Sequence, residues 1–491
     1  MSRHWIRRGF IPRARHSLAA LIALTLLAGC AAGPDYVRPT PPLPADWSTT
    51  LPDAQQAPGA TGAELAQWWR RLDDPALISL IERALAENRD VRQAIARVKE
   101  ARALQGVMDA RARPQLGVSG SASRERLSEN NRAPMNGAPN PVDLYQGFFD
   151  ASWEIDLFGG VRRARDAAAA DTAKVEFDRE AIAVIMSAEV AATYLRLRSA
   201  QAHLGTLDDQ IAVARETIAI VAARVRAGLV SELDLLRARV LLATLDARRP
   251  PLEATAGVAI RRLGVLVGAQ ANSLIAELSV PQPLPQAVPQ LPPSVPADLL
   301  ARRADLRAIE RALAAENARV GMVDAERYPR LSMFLTFGLL SLTTGNFTSA
   351  ASSAWNAGAG ISAPIYRGGA LDARLDAARA RYEQAAIHYE NAAARAFEEV
   401  ESAAVRYRGA RQRNEKLIEA LKADKDARDL SLVRYTAGLA DFLAVLDAQR
   451  QLFVAQDEEI VAREQALLHI VSLYKALGGG WDPSPRDVGA L

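Results

Sequence analysis

Residues of the types that carry out catalysis are present, but they are far apart. After the first 30 residues the only histidines are His203, His388 and His469, which lie in helical stretches without the spacing of a zinc site. No phosphate-binding loop with Gly-Lys-Ser/Thr occurs. Acidic pairs such as Glu398-Glu399 lie on predicted helices, where they solvate the helix, and no further group joins them to make a hydrolase site. The sequence predicts no enzyme, no metal site and no dissociable cofactor.

Cys30 is the one residue with a clear covalent chemistry. It is the only cysteine in the chain, and it ends the run Leu27-Ala28-Gly29-Cys30 that follows a basic segment (3–16) and an apolar segment (18–27). This arrangement resembles the signal peptide and lipobox of a bacterial lipoprotein, with 1–29 as the signal peptide. The resemblance implies S-diacylglycerol and N-palmitoyl groups on Cys30. Because Ala31 rather than aspartate follows, it also implies sorting to the outer membrane.

The charge balance argues against a nucleic-acid partner. Among 491 residues there are 60 basic and 57 acidic side chains, and five of the arginines precede residue 30. Without them 55 basic residues face 57 acidic ones, whereas a nucleic-acid-binding protein shows a large basic excess. Aromatic residues make up only 6% of the chain while alanine is frequent throughout, which favours long, closely packed helices.

Two proline-rich stretches separate two similar halves. Asp90 and Pro114 are 24 residues apart, as are Asp305 and Pro329, and Ala-Gly-Leu at 227–229 recurs at 437–439. Two matches at nearly equal offsets, 215 and 210 residues, indicate a tandem duplication. The predicted divisions are a signal peptide (1–29), an acylated proline-rich tether (30–60), a first repeat (61–276), a proline-rich linker (277–297), a second repeat (298–480) and a tail (481–491).

Each half contains two segments with alternating apolar and polar residues. They lie near 115–123 and 147–157 in the first half and near 330–339 and 355–365 in the second. Alternation over about ten residues fits either a half-buried soluble sheet or the wall of a transmembrane β-barrel. The charged residues Asp150, Glu154 and Asp156 all fall on the polar register, opposite Phe149 and Trp153, and this favours the barrel wall.

The helices between these strands carry a coiled-coil pattern. From Leu197 to Val225 apolar residues recur every seven positions, and a second series three places later includes Ala200 and Ala214. The pattern predicts one long helix over residues 161–227, ending at Gly228. Pro250-Pro251 stand where the second half has Ile460-Val461, so we expect a kink or break there.

Four strands are too few to close a barrel within one chain. No run of 18 apolar residues follows Cys30, so a chain that crosses a membrane must use strands. Single-chain barrels begin at about 8 strands, so closure would require several copies of the chain.

The ordered set of motifs resembles the TolC family of outer-membrane efflux channels, and within it the NodT-type lipoproteins. The shared features are Trp68-Trp69, the segments Asp74–Leu77 and Ala84–Asn88, Tyr435–Gly438 and Leu446–Arg450, and they extend over nearly the whole chain. The resemblance implies an α+β, TolC-like fold with tandem-duplicated helix–strand–strand–helix halves. It further implies a homotrimer, with a 12-stranded outer-membrane β-barrel continuous with a long α-helical periplasmic barrel.

The same resemblance assigns a function and a gate. Such channels are passive exit ducts for drugs and other toxic small molecules, coupled to a periplasmic membrane-fusion adaptor and an inner-membrane pump of the RND type. Their periplasmic helix tips close the duct, which would place the turns at Gly228 and Gly438 in the gate. Ala440 and Ala444 stand where some relatives have an arginine and a second ring aspartate, which implies a thinner closing network.

Four further residues are carried over to this gate. By its place in the motif Asp447 would form a ring of carboxylates in the constriction, where it would favour cations. Leu443, one turn earlier, would line the same narrowing, and Asp234 would accept a hydrogen bond from Tyr435. Without the resemblance, Asp447 is an ordinary solvated helix acid and Tyr435 a packed tyrosine. The remaining alternative is a lipid-anchored periplasmic coiled-coil scaffold without a pore. The sequence does not identify the exported substrate.

Overall fold

The computed structural model describes residues 32–41, 44, 47–48, 65–126, 128, 141–285 and 302–482. Cys30, the signal peptide, most of the linker and the end of the tail therefore lie outside the described residues. The first half contains α1 (Pro75–Glu87), α2 (Arg89–Ala110), β1 (Gln115–Glu125), β2 (Val142–Ile155), α3 (Gly160–Arg226), α4 (Glu232–Asp246), α5 (Arg249–Leu266) and the short α6 (Ile275–Leu278). The second half contains α7 (Ala304–Ala325), β3 (Arg330–Ser341), β4 (Ser353–Ser362), α8 (Ala370–Thr436) and α9 (Phe442–Ala476).

The two compact units of the chain are not the two repeats. Among the described residues, the sheet unit comprises those within 32–39, 99–174 and 310–388, and the helical unit comprises those within 40–98, 175–309 and 389–482. Each unit therefore combines segments of both halves. The tandem duplication is a property of the sequence, whereas each packed unit contains corresponding segments of both repeats.

The sheet unit contains one antiparallel sheet in the order β1-β2-β3-β4. The strands β2 and β3, from different halves, pair in register from Tyr145 opposite Ser341 to Ile155 opposite Leu331. The strands overlap the four predicted segments, although β2 begins at Val142, before its predicted start, and β4 ends at Ser362, before its predicted end. Since β1 and β4 are the ends of the order, each pairs with only one neighbour.

The two faces of this sheet differ in polarity, although Phe148 and Phe334 lie on the otherwise polar face. The pairing places Val118, Phe149, Phe337 and Trp355 in one row across all four strands. Their neighbours Gly117, Asp150, Thr336 and Asn356 form the next row, which points to the opposite face because successive residues alternate. The apolar row is exposed, with Phe149 68%, Phe337 56% and Trp355 74% accessible. The predicted alternation is confirmed.

The segment just after the predicted acylation site packs against the sheet unit. Gly33 has φ +80° and lies so close to Gly321 of α7 that a Cβ on Gly33 would be 2.3 Å from the Gly321 Cα atom. The buried Arg163 guanidinium donates to the Ala32 and Gly33 carbonyls and pairs with Asp35 at 2.9 Å. The first part of the predicted tether is therefore docked and does not behave as a free linker.

The helical unit is built on the coiled-coil pattern seen in the sequence. Ala200, Leu207, Ala214 and Val221 of α3 are all buried, as the second series of the heptad requires. The pattern predicted a helix over 161–227, and α3 spans Gly160–Arg226, 67 residues, the same length as α8. At the other end of the unit Trp68 stacks on Tyr474 with ring centroids 5.3 Å apart.

The helix after the first turn is interrupted where the two prolines predict it. The helix α4 ends at Asp246 and α5 begins at Arg249, with proline in its first turn. Proline suits a first turn because its missing N–H would have no helical partner there. The two residues between the helices remain near helical dihedrals, with φ −67° and ψ −17° at Ala247 and φ −80° and ψ −18° at Arg248. The interruption is therefore local, and α9 in the second half runs through the equivalent region without one.

Candidate functional site

Two glycine turns join the long helices to the helices that follow them. Gly228 has φ +69° and Gly438 has φ +76°, and no atom lies within 4 Å of a Cβ built on either residue. The Leu229 N–H donates to the Arg224 carbonyl at 3.0 Å, and the Leu439 N–H to the Arg434 carbonyl at 2.8 Å. These are paired helix-terminating motifs in which glycine supplies the left-handed backbone conformation. Backbone conformation, not lack of space, requires glycine at both turns.

The helices that leave the turns are capped by side chains of the preceding residue. Ser231 Oγ accepts the Leu233 N–H at 3.1 Å at the start of α4, and Asp441 Oδ1 accepts the Ala444 N–H at 3.0 Å at the start of α9. Such caps satisfy amide groups that have no partner within the helix. The two turns therefore share one backbone design.

Asp447 and Leu443 lie one helical turn apart on the same face of α9. Both are exposed, and Leu443 is 50% accessible, whereas Val445 and Leu446 on the other face are buried. Asp447 makes no ion pair or hydrogen bond to any residue that the structure describes. Asp447 and Leu443 therefore expose a carboxylate and a leucine side by side on the surface of the helical unit.

The hydrogen bond expected between Tyr435 and Asp234 is absent, so that prediction was wrong for the described chain. Tyr435 is only 2% exposed, and its hydroxyl has no hydrogen-bond partner among the described residues. Asp234 lies in the first turn of α4 and pairs instead with Arg237, with N and O 3.5 Å apart. Tyr435 packs against Phe442 within an apolar cluster, with ring centroids 5.7 Å apart.

Arg224 is the contact residue that sequence reasoning missed. Its guanidinium carbon lies 4.6 Å from the centre of the Tyr435 ring, and its two terminal nitrogens donate to the Tyr435 carbonyl at 2.6 Å and the Thr436 carbonyl at 3.0 Å. It thereby joins the end of α3 to the end of α8. The only signal in the sequence is a basic residue in the last turn of a helix, which does not identify a partner more than 200 residues away.

Buried amides connect α3 to α9 beyond the turns. The Gln449 side-chain NH₂ donates to the Thr217 hydroxyl at 2.6 Å. The Gln210 side-chain NH₂ donates to the side-chain amide oxygen of Gln456 at 3.0 Å. Gln449 and Gln210 are each 1% exposed, and their side-chain carbonyl oxygens have no partner among the described residues. Half-satisfied amides in an apolar seam favour one register of the two helices, since any shift leaves more groups unpaired.

An ion pair lies at the interruption between α4 and α5. Asp457 of α9 accepts from Arg248, and its other oxygen lies 3.5 Å from the His203 Nδ1 atom of α3. Burial alone would raise the pKa of Asp457, but the hydrogen bonds from His203 and Arg248 outweigh it and lower the pKa below its ordinary value. Arg249 pairs in the same way with Asp208 of α3. Two consecutive arginines therefore attach the interrupted segment to both neighbouring helices.

No described helix is both long enough and apolar enough to span a membrane. In the same parts of the chain no group of three or more histidine, cysteine, aspartate or glutamate side chains could hold a metal ion.

Comparison with known proteins gives one consistent result. The profile of the family described as outer membrane efflux protein matches residues 80–269 and 295–479. The chain is 31% identical over 474 residues to the solvent efflux pump outer membrane protein SrpC of Pseudomonas putida, covering 94% of this chain and 98% of SrpC. It is 31% identical over 476 residues to the pyoverdine export outer membrane protein OpmQ of the same species, covering 95% and 98% of the two chains.

Solved structures agree with the sequence relatives. The outer-membrane channel OprN superposes with a TM-score of 0.83 at 32% identity, covering 92% of this chain and all of OprN. The Neisseria gonorrhoeae MtrE outer membrane channel, solved in an open state, superposes with a TM-score of 0.78 at 25% identity, covering 92% and 99%. The fold is that of TolC-like outer-membrane channels, a class of transporters and not of enzymes. The chain, with its unpaired strand edges and its two glycine turns, thus belongs to the outer membrane efflux protein family and is an outer-membrane efflux channel.

Proposed function

We propose that three copies of this chain form a passive exit duct of a tripartite efflux pump, in which three four-stranded sheets close a twelve-stranded barrel. The observation that carries the proposal is the sheet itself. One face is exposed and apolar along the row from Val118 to Trp355, and the edges β1 and β4 leave backbone groups unpaired. In a bilayer an open edge is prohibitively costly, whereas pairing β1 of one copy with β4 of the next removes every edge.

A matched pair of substitutions tests the orientation of the sheet. Phe337 and Thr336 are adjacent on β3 and point to opposite faces. In a barrel, Phe337→Arg places three arginines in lipid at about 2–4 kcal/mol each and abolishes assembly in the outer membrane. Thr336→Arg instead lines the lumen, so it leaves assembly intact and lowers cation conductance. Equal tolerance of both substitutions would favour the pore-free scaffold.

Light scattering tests the proposed number of protomers, and substitution of Cys30 tests the proposed lipid anchor. Light scattering of the protein extracted in detergent from outer membranes, with the detergent mass subtracted, should give three protomers. The variant Cys30→Ser should lose acylation and sort less efficiently, yet still form trimers that need detergent for extraction. A soluble monomer from Cys30→Ser would contradict the barrel, because a closed barrel remains in the membrane without its lipid.

The proposed gate controls passage through the duct. The glycine turns would lie at the periplasmic end of the duct, with Asp447 and Leu443 lining its narrowest part. A ring of three carboxylates binds cations and slows anions. Asp447→Ala should raise single-channel conductance or weaken cation block in planar bilayers. The control Asp426→Ala removes an exposed acid from α8 and should change neither property.

The cargo and the partners follow from the family. The relatives are named for solvent efflux and for pyoverdine export, so we propose small organic molecules as the cargo class. A periplasmic adaptor and an inner-membrane pump would supply the energy, since the relatives are named as the outer membrane proteins of efflux pumps. Co-purification with an adaptor crosslinked in intact cells, lost when the helix turns are deleted, would support this assembly.

A further inference from the structure

We infer that Arg224 is the positioning residue that holds the two helix turns of one protomer together, by stacking on the Tyr435 ring and capping the last carbonyls of α8. The inference rests on the proposed gate and adds a residue to it. In the absence of the expected contact between Tyr435 and Asp234, the contacts of Arg224 are the direct polar link between the end of α3 and the end of α8 among the described residues.

The first support is the number of contacts that converge on one guanidinium. A flat guanidinium over an aromatic face at 4.6 Å makes a cation–π contact with Tyr435. Its nitrogens reach two consecutive carbonyls at the same time. A lysine at this position could carry the charge, but it has neither the planar face nor the two parallel donors. The geometry is therefore specific to arginine.

The second support is the electrostatics of the helix end. The last carbonyls of a helix carry partial negative charge and lack partners within the helix. At the end of α8 the Tyr435 carbonyl accepts the Gly438 N–H at 3.0 Å and also the guanidinium of Arg224. The cation thus stabilises the same carbonyl that closes the glycine turn, so it supports the turn as well as the contact between helices.

The third support is the contrast with the repeat-related position. Arg434 lies 210 residues after Arg224, at the equivalent place before the second glycine. Its side chain is exposed and makes no hydrogen bond, ion pair or ring contact to any described residue. The link is therefore one-sided, because the first half holds the second half while the reverse contact is missing. Arg434 also provides a control with the same residue type, helix position and charge.

Substitution of Tyr435 distinguishes this inference from the expected hydrogen bond between Tyr435 and Asp234. If Tyr435 acts through its ring, then Tyr435→Phe keeps the function and Tyr435→Ala loses it. If Tyr435 acts by donating a hydrogen bond to Asp234, both substitutions lose it. The buried hydroxyl without a partner supports the ring.

The test combines channel recordings with amide hydrogen exchange on the purified trimer. We expect Arg224→Ala to raise the mean conductance in planar bilayers several-fold and to speed exchange of the Ala437, Gly438 and Leu439 amides about tenfold. Arg224→Lys should fall between Arg224→Ala and the wild type. Arg434→Ala and Tyr435→Phe should match the wild type in both measurements, and Tyr435→Ala should match Arg224→Ala.

Several outcomes would overturn the inference. Wild-type conductance and exchange in Arg224→Ala would show that the contact restrains nothing. An equal response of Arg434→Ala would assign the effect to positive charge near the turns in general. A strong effect of Tyr435→Phe would instead favour the hydrogen bond between Tyr435 and Asp234. Should Arg224→Ala fail to assemble, the decision falls to Arg224→Lys and Tyr435→Phe. A wild-type protein that forms no channel would contradict the proposed function, while the exchange data would still decide whether Arg224 holds the turn.

Discussion

The two helix turns share their backbone design and differ in their side-chain contacts. Gly228 and Gly438 have the same left-handed conformation, the same closing hydrogen bonds and a capped helix after them. Yet Arg224 before the first turn is engaged with the other helix end, whereas Arg434 before the second is exposed. Duplication thus preserved the features that a turn requires, and the contacts between the turns diverged.

The helices after the turns differ in the same sense. The first half has two helices, α4 and α5, attached at their junction through Arg248 to Asp457 and through Arg249 to Asp208. The second half has the continuous α9, and Glu458 and Glu459 stand at the equivalent positions. The interrupted half is therefore fastened by ion pairs at the point where its helix is weakest, and the continuous half has no such need.

Among the substitutions that test this difference between the two halves, the largest effect is expected at the ion pair of the interrupted half. Asp457→Asn keeps the shape of the side chain but removes the charge that accepts from Arg248 and His203. Because the group is partly buried, we expect a loss of about 1–2 kcal/mol in the free energy of unfolding. The measurement is the thermal midpoint of the detergent-solubilised trimer by circular dichroism.

The matched control for this substitution is the next residue. Glu458 is exposed and its distance to Arg413 is 3.9 Å, so Glu458→Gln should cost less than about 0.5 kcal/mol. If the two variants lose equal stability, the junction has no special role and the contrast between the halves fails.

The two glycine turns should respond equally. In Gly228→Ala and in Gly438→Ala the added Cβ meets no atom, so the cost is the left-handed backbone alone, about 1 kcal/mol in each case. Gly409→Ala, inside α8 with open space around it, should be neutral or stabilising. Thermal midpoints of the three variants check this, and a clear difference between the two turn variants would show that their environments differ after all.

The ion pair also predicts how the difference between wild type and Asp457→Asn changes with pH. The pKa of Asp457 is lowered in the folded protein. Its stabilising contribution is therefore complete above the pKa of the unfolded chain, about 4, and disappears as the pH falls through the lower folded value. We expect the stability difference to be constant from pH 7 to 5 and to shrink below pH 4. A stability difference that already changes between pH 7 and 5 would contradict the assignment of the effect to the Asp457 carboxylate.

The smallest effect is expected from removing the interruption. The double substitution Pro250→Ile, Pro251→Val gives the first half the residues of the second at these positions. Since Ala247 and Arg248 are already near helical dihedrals, α4 and α5 should join into one helix, with a change of only a few tenths of a kcal/mol. The new amides at 250 and 251 should then exchange slowly. Fast exchange at both would mean that the attached arginines, not the prolines, hold the helices apart.

Much of the fold follows from local patterns in the sequence. Strand positions, the two long helices, the glycine turns and the interruption at Pro250-Pro251 each depend on residues within about ten positions of one another. Heptads, alternation and proline geometry act at that range, so a single sequence displays them. The sequence does not show that each compact unit draws on both repeats, since packing partners carry no mark of each other.

The candidate site was less predictable for the same reason. The turns at Gly228 and Gly438 come from backbone chemistry and are found where expected. The Tyr435 contact was assigned to Asp234, whereas the structure gives Tyr435 to Arg224. Both are polar residues near the first turn, and choosing between them requires knowing which side of α8 faces α3. The docked segment at Gly33 was missed because proline-rich sequence alone reads as unattached chain.

The register of the sheet has a consequence for how the protein is made. The pairing of Tyr145 with Ser341 and of Ile155 with Leu331 joins residues that are 196 and 176 positions apart. The central pair of strands therefore cannot form until β3, in the first part of the second half, has been synthesised, and such long-range pairing is intrinsically slow. Until then β1 and β2 carry an apolar face and an unsatisfied edge with no partner, the features that lead to aggregation. The nascent chain is therefore expected to be prone to aggregation until β3 is available to pair with β2.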